Sequence, residues 1–132
     1  KSSAKLLPVN SVLVSSRATI GRIAINKSET ATNQGFKNIV IKDYAKADTN
    51  FVAFVVSTLV DEMHKMASGG TFKEISKTNF SNLQIPLPPL STQKEIVSQI
   101  EAEQEMVAGN KKLIEIYEQK VKDKIGEVWG EE

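Results

Sequence analysis

An α+β fold is predicted for this chain: a small β-rich domain carrying a packed helix, followed by one long helix of the coiled-coil kind. Three observations lead there. Residues 1–91 alternate short runs of β-formers with clusters of Gly, Asn, Ser and Pro. Residues 92–129 repeat apolar side chains at heptad spacing with no helix breaker among them except glycine. The charge also divides at the same place. Residues 1–91 hold eleven Lys and Arg against six Asp and Glu, a balance of +5, and residues 92–132 hold six against ten, a balance of −4. Such asymmetry assigns a polyanion to one half and a different partner to the other.

Taken in order, Leu6 to Ser11 reads as a strand end and turn, and Val12 to Ser15 as a short strand. Ser15 to Arg22 is polar, with Gly21 offering a bend, and Ile23 to Ile25 resumes the strand. The pair forms a hairpin with Arg17 near its tip. Asn33 to Phe36 is a further turn, followed by a buried strand over 38–41. A helix is predicted from Asp48 or Thr49 through Met66, nearly all apolar in its first half and therefore deep in the domain. Gly69 and Gly70 stop it. Thr71 to Ser76 is a loop or short strand, Lys77 to Phe80 a turn, and Leu83 to Ile85 a final strand. Pro86, Pro88 and Pro89 prevent further pairing.

The long helix is predicted to start at Thr92, with Glu95 completing a capping box. Its seam runs through Ile96, Ile100, Glu103, Val107, Asn110, Ile114, Tyr117, Val121, Lys124 and Val128, and seven of these ten positions are apolar. Asn110 is the kind of polar seam residue that sets register and partner number. Gly109 beside it costs about 1 kcal/mol in helix propensity and marks a bend or weak point. Burying the seven apolar seam residues is worth on the order of 10 kcal/mol as an upper value. Such a helix requires a partner.

Several chemistries are excluded. The 132 residues contain no cysteine and one histidine, His64, so disulfides, thiolate sites and histidine clusters are ruled out. There is no phosphate-binding Gly-rich loop, dinucleotide fingerprint or nucleophile elbow. The acid-x-Lys triplet Glu118 to Lys120, and the similar but longer run Glu62 to Lys65, fall on predicted helices rather than on nuclease-type strands. A non-catalytic protein without cofactor is expected. No apolar run approaches the roughly 18 residues of a membrane span. With no signal peptide at the start, a cytoplasmic location is expected. A first residue of Lys1 rather than Met leads to the expectation of a larger parent chain.

Four motifs occur in order: VLVSSRATIGRIAI over 12–25, TNQGF over 32–36, GGTFKEIS over 69–76 and LQIPLPPL over 83–90. Gln93, Ile96, Val97 and Ile100 follow. Together they resemble the target recognition domain and conserved spacer helix of type I restriction-modification specificity subunits, over essentially the whole chain. The resemblance implies residues 1–90 as the C-terminal portion of a recognition domain and 91–132 as the spacer and dimerisation helix. It also implies further strands before Lys1 and a second copy of domain and helix in a complete subunit. The family usually has glycine where this chain has Ala18, so a positive φ is not expected there.

That family performs no chemistry itself. It grips duplex DNA and holds methyltransferase and restriction subunits around it. On this reading Arg17 or Arg22 reaches a guanine edge, Asn33 or Gln34 an adenine edge, and Thr71 and Lys73 contact phosphates. Thr19, between the two arginines, joins the candidate DNA-binding set. The plainer reading of Gln34 is a buried amide holding its turn, and of Lys37 and Lys42 solvated surface charges. The helix over 92–129 is about 57 Å long at 1.5 Å per residue. It would pair through Ile96, Ile100, Val107, Asn110, Ile114, Tyr117, Val121 and Val128, either within the parent chain or as a homodimer. The resemblance makes the pair antiparallel, a ruler between two DNA half-sites. Two other readings stand beside this one: a coiled-coil dimerisation module without DNA, and the recognition segment of a fused single-chain restriction-modification enzyme.

Overall fold

The computed structural model describes residues 5–130. Three short strands form an antiparallel sheet in the order β2-β1-β3, with β1 at Val12–Ser15, β2 at Ile23–Ile25 and β3 at Phe36–Ile39. Val12 sits opposite Ile25 on one side and Ile39 on the other. Alternation along β1 turns Val12 and Val14 into the core, where both are fully buried. The sheet begins its third strand at Phe36, two residues earlier than the sequence pattern suggests, because pairing resumes directly after the turn at Gly35.

α1 (Thr49–Thr58) packs on β2 and β1 and buries Phe51, Val52 and Val56. Asp48 caps it, its carboxylate accepting from the amide of Phe51 at 3.0 Å. The expected single helix over 49–67 is instead broken at Leu59, and α2 (Val60–Met66) follows. No proline or glycine is present at the break. The hydroxyls of Ser57 and Thr58 donate to the carbonyls of Phe54 and Val55, three residues back, and compete with the helical ladder there. Met63 of α2 and Ile75 complete the core, both without exposure.

Three further expectations are corrected. Lys77 to Phe80 is a short helix, α3 (Lys77–Ser81), because the Ser76 hydroxyl accepts from the amide of Asn79 at 3.1 Å and caps it. Leu83 to Ile85 joins no sheet; Leu83 and Ile85 serve as apolar cover over the core. The last helix, α4, spans Leu90–Trp129. It therefore starts ahead of Thr92, whose capping box with Glu95 does not form at the helix end. Gln93 already donates its amide to the carbonyl of Pro89 at 3.1 Å. Gly109 does not interrupt α4.

The chain divides into two compact units, residues 1–97 and 98–132. The first two turns of α4 belong to the first unit through Gln93 and Val97. Gln93 has no exposure. Its carboxamide oxygen accepts from the amide of Asp48, and its nitrogen donates to the carbonyls of Lys46 and Pro88, each at 2.8 Å. A buried amide with every strong bond made joins the helix start to the cap of α1.

Candidate nucleic-acid interface

At the end of β1 the chain leaves the sheet as a loop over 16–22. Ile20 anchors this loop in the core, and Gly21 lies against α2. A Cβ at Gly21 would come within 2.5 Å of a Val60 methyl carbon, and its φ of 97° also favours glycine. Ser15 closes the loop: its hydroxyl donates to the carbonyl of Thr19 and accepts from the amide of Arg22 at 2.8 Å. The arm with Arg22 thus continues the β1–β2 pairing.

The other arm runs between two further segments. The amide of Ser16 donates to the carbonyl of Gly35 at 2.8 Å, and the carbonyl of Ser16 accepts from Ile75 at 2.9 Å. The amide of Ala18 donates to the carbonyl of Lys73 at 3.0 Å. Arg17 and Glu74 accordingly face each other as an isolated antiparallel bridge. Ala18 makes this contact at φ 63°, so the positive φ thought absent at this position is adopted by alanine. The main-chain bonds on either side outweigh the roughly 1–2 kcal/mol that an L side chain loses in this region.

The turn over 33–36 is held by Asn33. Its carboxamide oxygen accepts from the amide of Gly35 at 2.7 Å, and its carbonyl from Phe36 at 3.3 Å. Gly35 is needed for close approach rather than for φ, since a Cβ there would lie 3.0 Å from that oxygen and 4.0 Å from Arg17 Nε. Gln34 is exposed, which corrects its reading as a buried amide. The third segment is the loop over 69–73. Ser68 and Glu74 close it with two reciprocal amide-to-carbonyl bonds of 3.0 Å, and Thr71, Phe72 and Lys73 are exposed on it.

Arg17, the 33–35 turn and Lys73 are therefore gathered on one edge by backbone bonds. Thr19 and Arg22 are exposed on the remaining part of the 16–22 loop. Lys37 is not the solvated charge expected. Its ammonium lies 3.5 Å from Glu74 Oε2 and 3.4 Å from the Ser16 hydroxyl, with only 19% of its side chain exposed. Lys42 is exposed, as expected. Sequence reasoning missed Glu74 and Phe72; the first is an acid paired with Lys37 and bridged to Arg17, the second a large apolar ring left in water. Among the described residues, no group of three or more His, Cys, Asp or Glu is arranged to hold a metal ion.

The sequence profile of the type I restriction modification DNA specificity domain matches residues 1–117. The chain belongs to this family. It is 31% identical over 116 residues to the type I restriction enzyme MjaIX specificity subunit of Methanocaldococcus jannaschii, covering 88% of this chain and 27% of that protein. A solved chain from work on complex assembly and conformational transition of the type I R-M system matches with a TM-score of 0.75 at 28% identity, covering 90% of this chain and 29% of the other. The HsdS subunit of Thermoanaerobacter tengcongensis matches with a TM-score of 0.70 at 26% identity, covering 83% and 25%. The chain thus spans about a quarter of the length of its relatives, and its α+β architecture is theirs.

In the second unit, α4 presents the expected seam of the specificity domain to solvent. Val107, Ile114, Tyr117, Val121 and Val128 are each more than half exposed, and Asn110 is exposed among them. Ile96 and Ile100, nearer the start of α4, are half-buried. Among the described residues, no helix is long and apolar enough to cross a membrane.

Proposed function

We propose that this chain is the part of a type I specificity subunit that reads one half of a duplex DNA target, without catalysing a reaction or needing a cofactor. The observation that carries the reading is the convergence of Arg17, the Asn33–Gly35 turn and Lys73 through the Ser16–Gly35 and Ala18–Lys73 bonds. Base recognition requires a few polar side chains on a rigid base beside cations for phosphate. Arg17, with its forked guanidinium, reads a guanine edge, and exposed Gln34 reads an adenine edge. Asn33 has already committed its oxygen to the turn, so its role is to position Gln34 and Gly35. Lys73 and Thr71 contact the backbone phosphates, and Thr19 and Arg22 extend the edge.

The exposed seam of α4 supports pairing with an equivalent helix, in the parent subunit or in a second copy, and the family resemblance favours an antiparallel pair. Methyltransferase and restriction subunits assemble around the resulting scaffold, in the cytoplasm. Titration of labelled duplex DNA at low and high salt tests the DNA reading. Affinity that falls steeply with salt supports it. Affinity absent at low salt, or indifferent to salt, refutes it and leaves a dimerisation module.

A further inference from the structure

Phe72 is 66% exposed, more than Leu6, Val9, Val40, Tyr44 or Leu87 on the same unit. Its backbone is nevertheless fixed on both sides. The loop is closed below by the paired Ser68–Glu74 bonds, and the next residue, Lys73, is bonded to Ala18. Gly69, at φ 130°, approaches so closely that a Cβ there would lie 2.8 Å from the Phe72 carbonyl. A ring held outward on a fixed backbone loses little further freedom on binding, which is how an anchor residue is built.

Its surroundings identify the partner. Protein-docking aromatics sit at the centre of an apolar patch. Phe72 instead stands between Thr71 and Lys73, on the loop bonded to the one that carries Arg17. Cations and a hydroxyl next to an exposed ring suit a groove in which phosphates line the rim and base edges the floor. We infer that Phe72 is a base-contacting residue whose ring packs on a thymine methyl, while Lys73 and Arg17 fix the loop over the groove. This inference rests on the DNA reading above.

The test uses the complete subunit, alone and assembled with its methyltransferase. Selection from a pool of randomised duplexes by the wild-type protein supplies the target, and each thymine in it is then replaced by deoxyuridine. Phe72→Ala is expected to bind the selected duplex about tenfold more weakly, with unselected duplex and the salt slope unchanged. Phe72→Leu is expected to retain most of the affinity. At one position, deoxyuridine should weaken the wild type but not Phe72→Ala. Phe72→Ala binding the selected duplex like the wild type would overturn the inference while leaving the DNA reading intact. So would deoxyuridine effects identical in both proteins, or a defect seen only in assembly with the methyltransferase. A wild-type protein that selects no sequence would bring down the DNA reading itself, and the inference with it.

Discussion

The amide of Ala18 donates to the carbonyl of Lys73 at 3.0 Å while Ala18 holds a φ of 63°. One bond therefore joins the loop of Arg17 to the loop of Lys73, and it is made from a backbone conformation that alanine disfavours. Ala18→Gly relieves that strain but also loosens the unfolded chain, for a net gain of about 0.5–1 kcal/mol. Ala18→Val, β-branched, loses more than 1 kcal/mol, on the order expected for a bulky residue at positive φ. Denaturant midpoints at constant m-value check both.

Gly21 faces the opposite requirement. Gly21→Ala meets both its φ of 97° and a Val60 methyl carbon at 2.5 Å, so about 2–3 kcal/mol of stability should be lost. Adding Val60→Ala removes the overlap but not the backbone strain. The double variant should therefore recover only part of the loss beyond its own cavity cost, a coupling that a double-mutant cycle measures.

Gln93 bonds three backbone groups from a fully buried site. Gln93→Leu keeps the volume and leaves an amide and two carbonyls unpaired, at a cost of about 2–4 kcal/mol. Gln93→Glu keeps an acceptor for Asp48 but sets a carboxylate against the carbonyls of Lys46 and Pro88, and should destabilise at least as much at neutral pH. Chemical unfolding read by circular dichroism decides between these expectations and a spectator role.

The Lys37–Glu74 pair, with 38% of the Glu74 side chain exposed, contributes at most about 1 kcal/mol to stability. Its effect on DNA should be larger. Glu74→Gln removes an acid from the basic edge and frees Lys37 for phosphate, so duplex affinity rises and the salt slope steepens by about 1. Arg17→Ala should change sequence preference in selection experiments, whereas Lys73→Ala should weaken every duplex alike. Identical behaviour of those two variants would refute the division of roles.

On α4, Ile114→Asp together with Val121→Asp places charges at two exposed seam positions. Neither substitution disturbs the core of the first unit, so each protein should fold. Sedimentation should show the unsubstituted protein paired and the double variant monomeric. If the 132-residue chain sediments as a monomer with α4 fully helical, pairing between copies is refuted and only pairing with a helix elsewhere in the parent subunit remains.

Local rules were enough for much of this molecule. The β-former runs at Val12 to Ser15 and Ile23 to Ile25, the helix start at Asp48 or Thr49, the heptads after Gln93 and the division of charge are properties of neighbours along the chain, and all are legible there. The family motifs, too, are visible as strings. Their meeting point is not. The bonds from Ser16 to Gly35 and from Ala18 to Lys73 join residues far apart in sequence. The conformation of Ala18, the pairing of Lys37 with Glu74 and the outward ring of Phe72 all depend on that meeting. The same holds for Leu83 to Ile85, strand-like by propensity yet left without a strand to pair with, and for Gln93, whose burial arises only because Lys46, Asp48 and Pro88 surround it. Propensity and period describe what a segment can form. Which side chains become buried, paired or displayed is decided by the backbone hydrogen bonds and packing that tertiary structure brings from a distance.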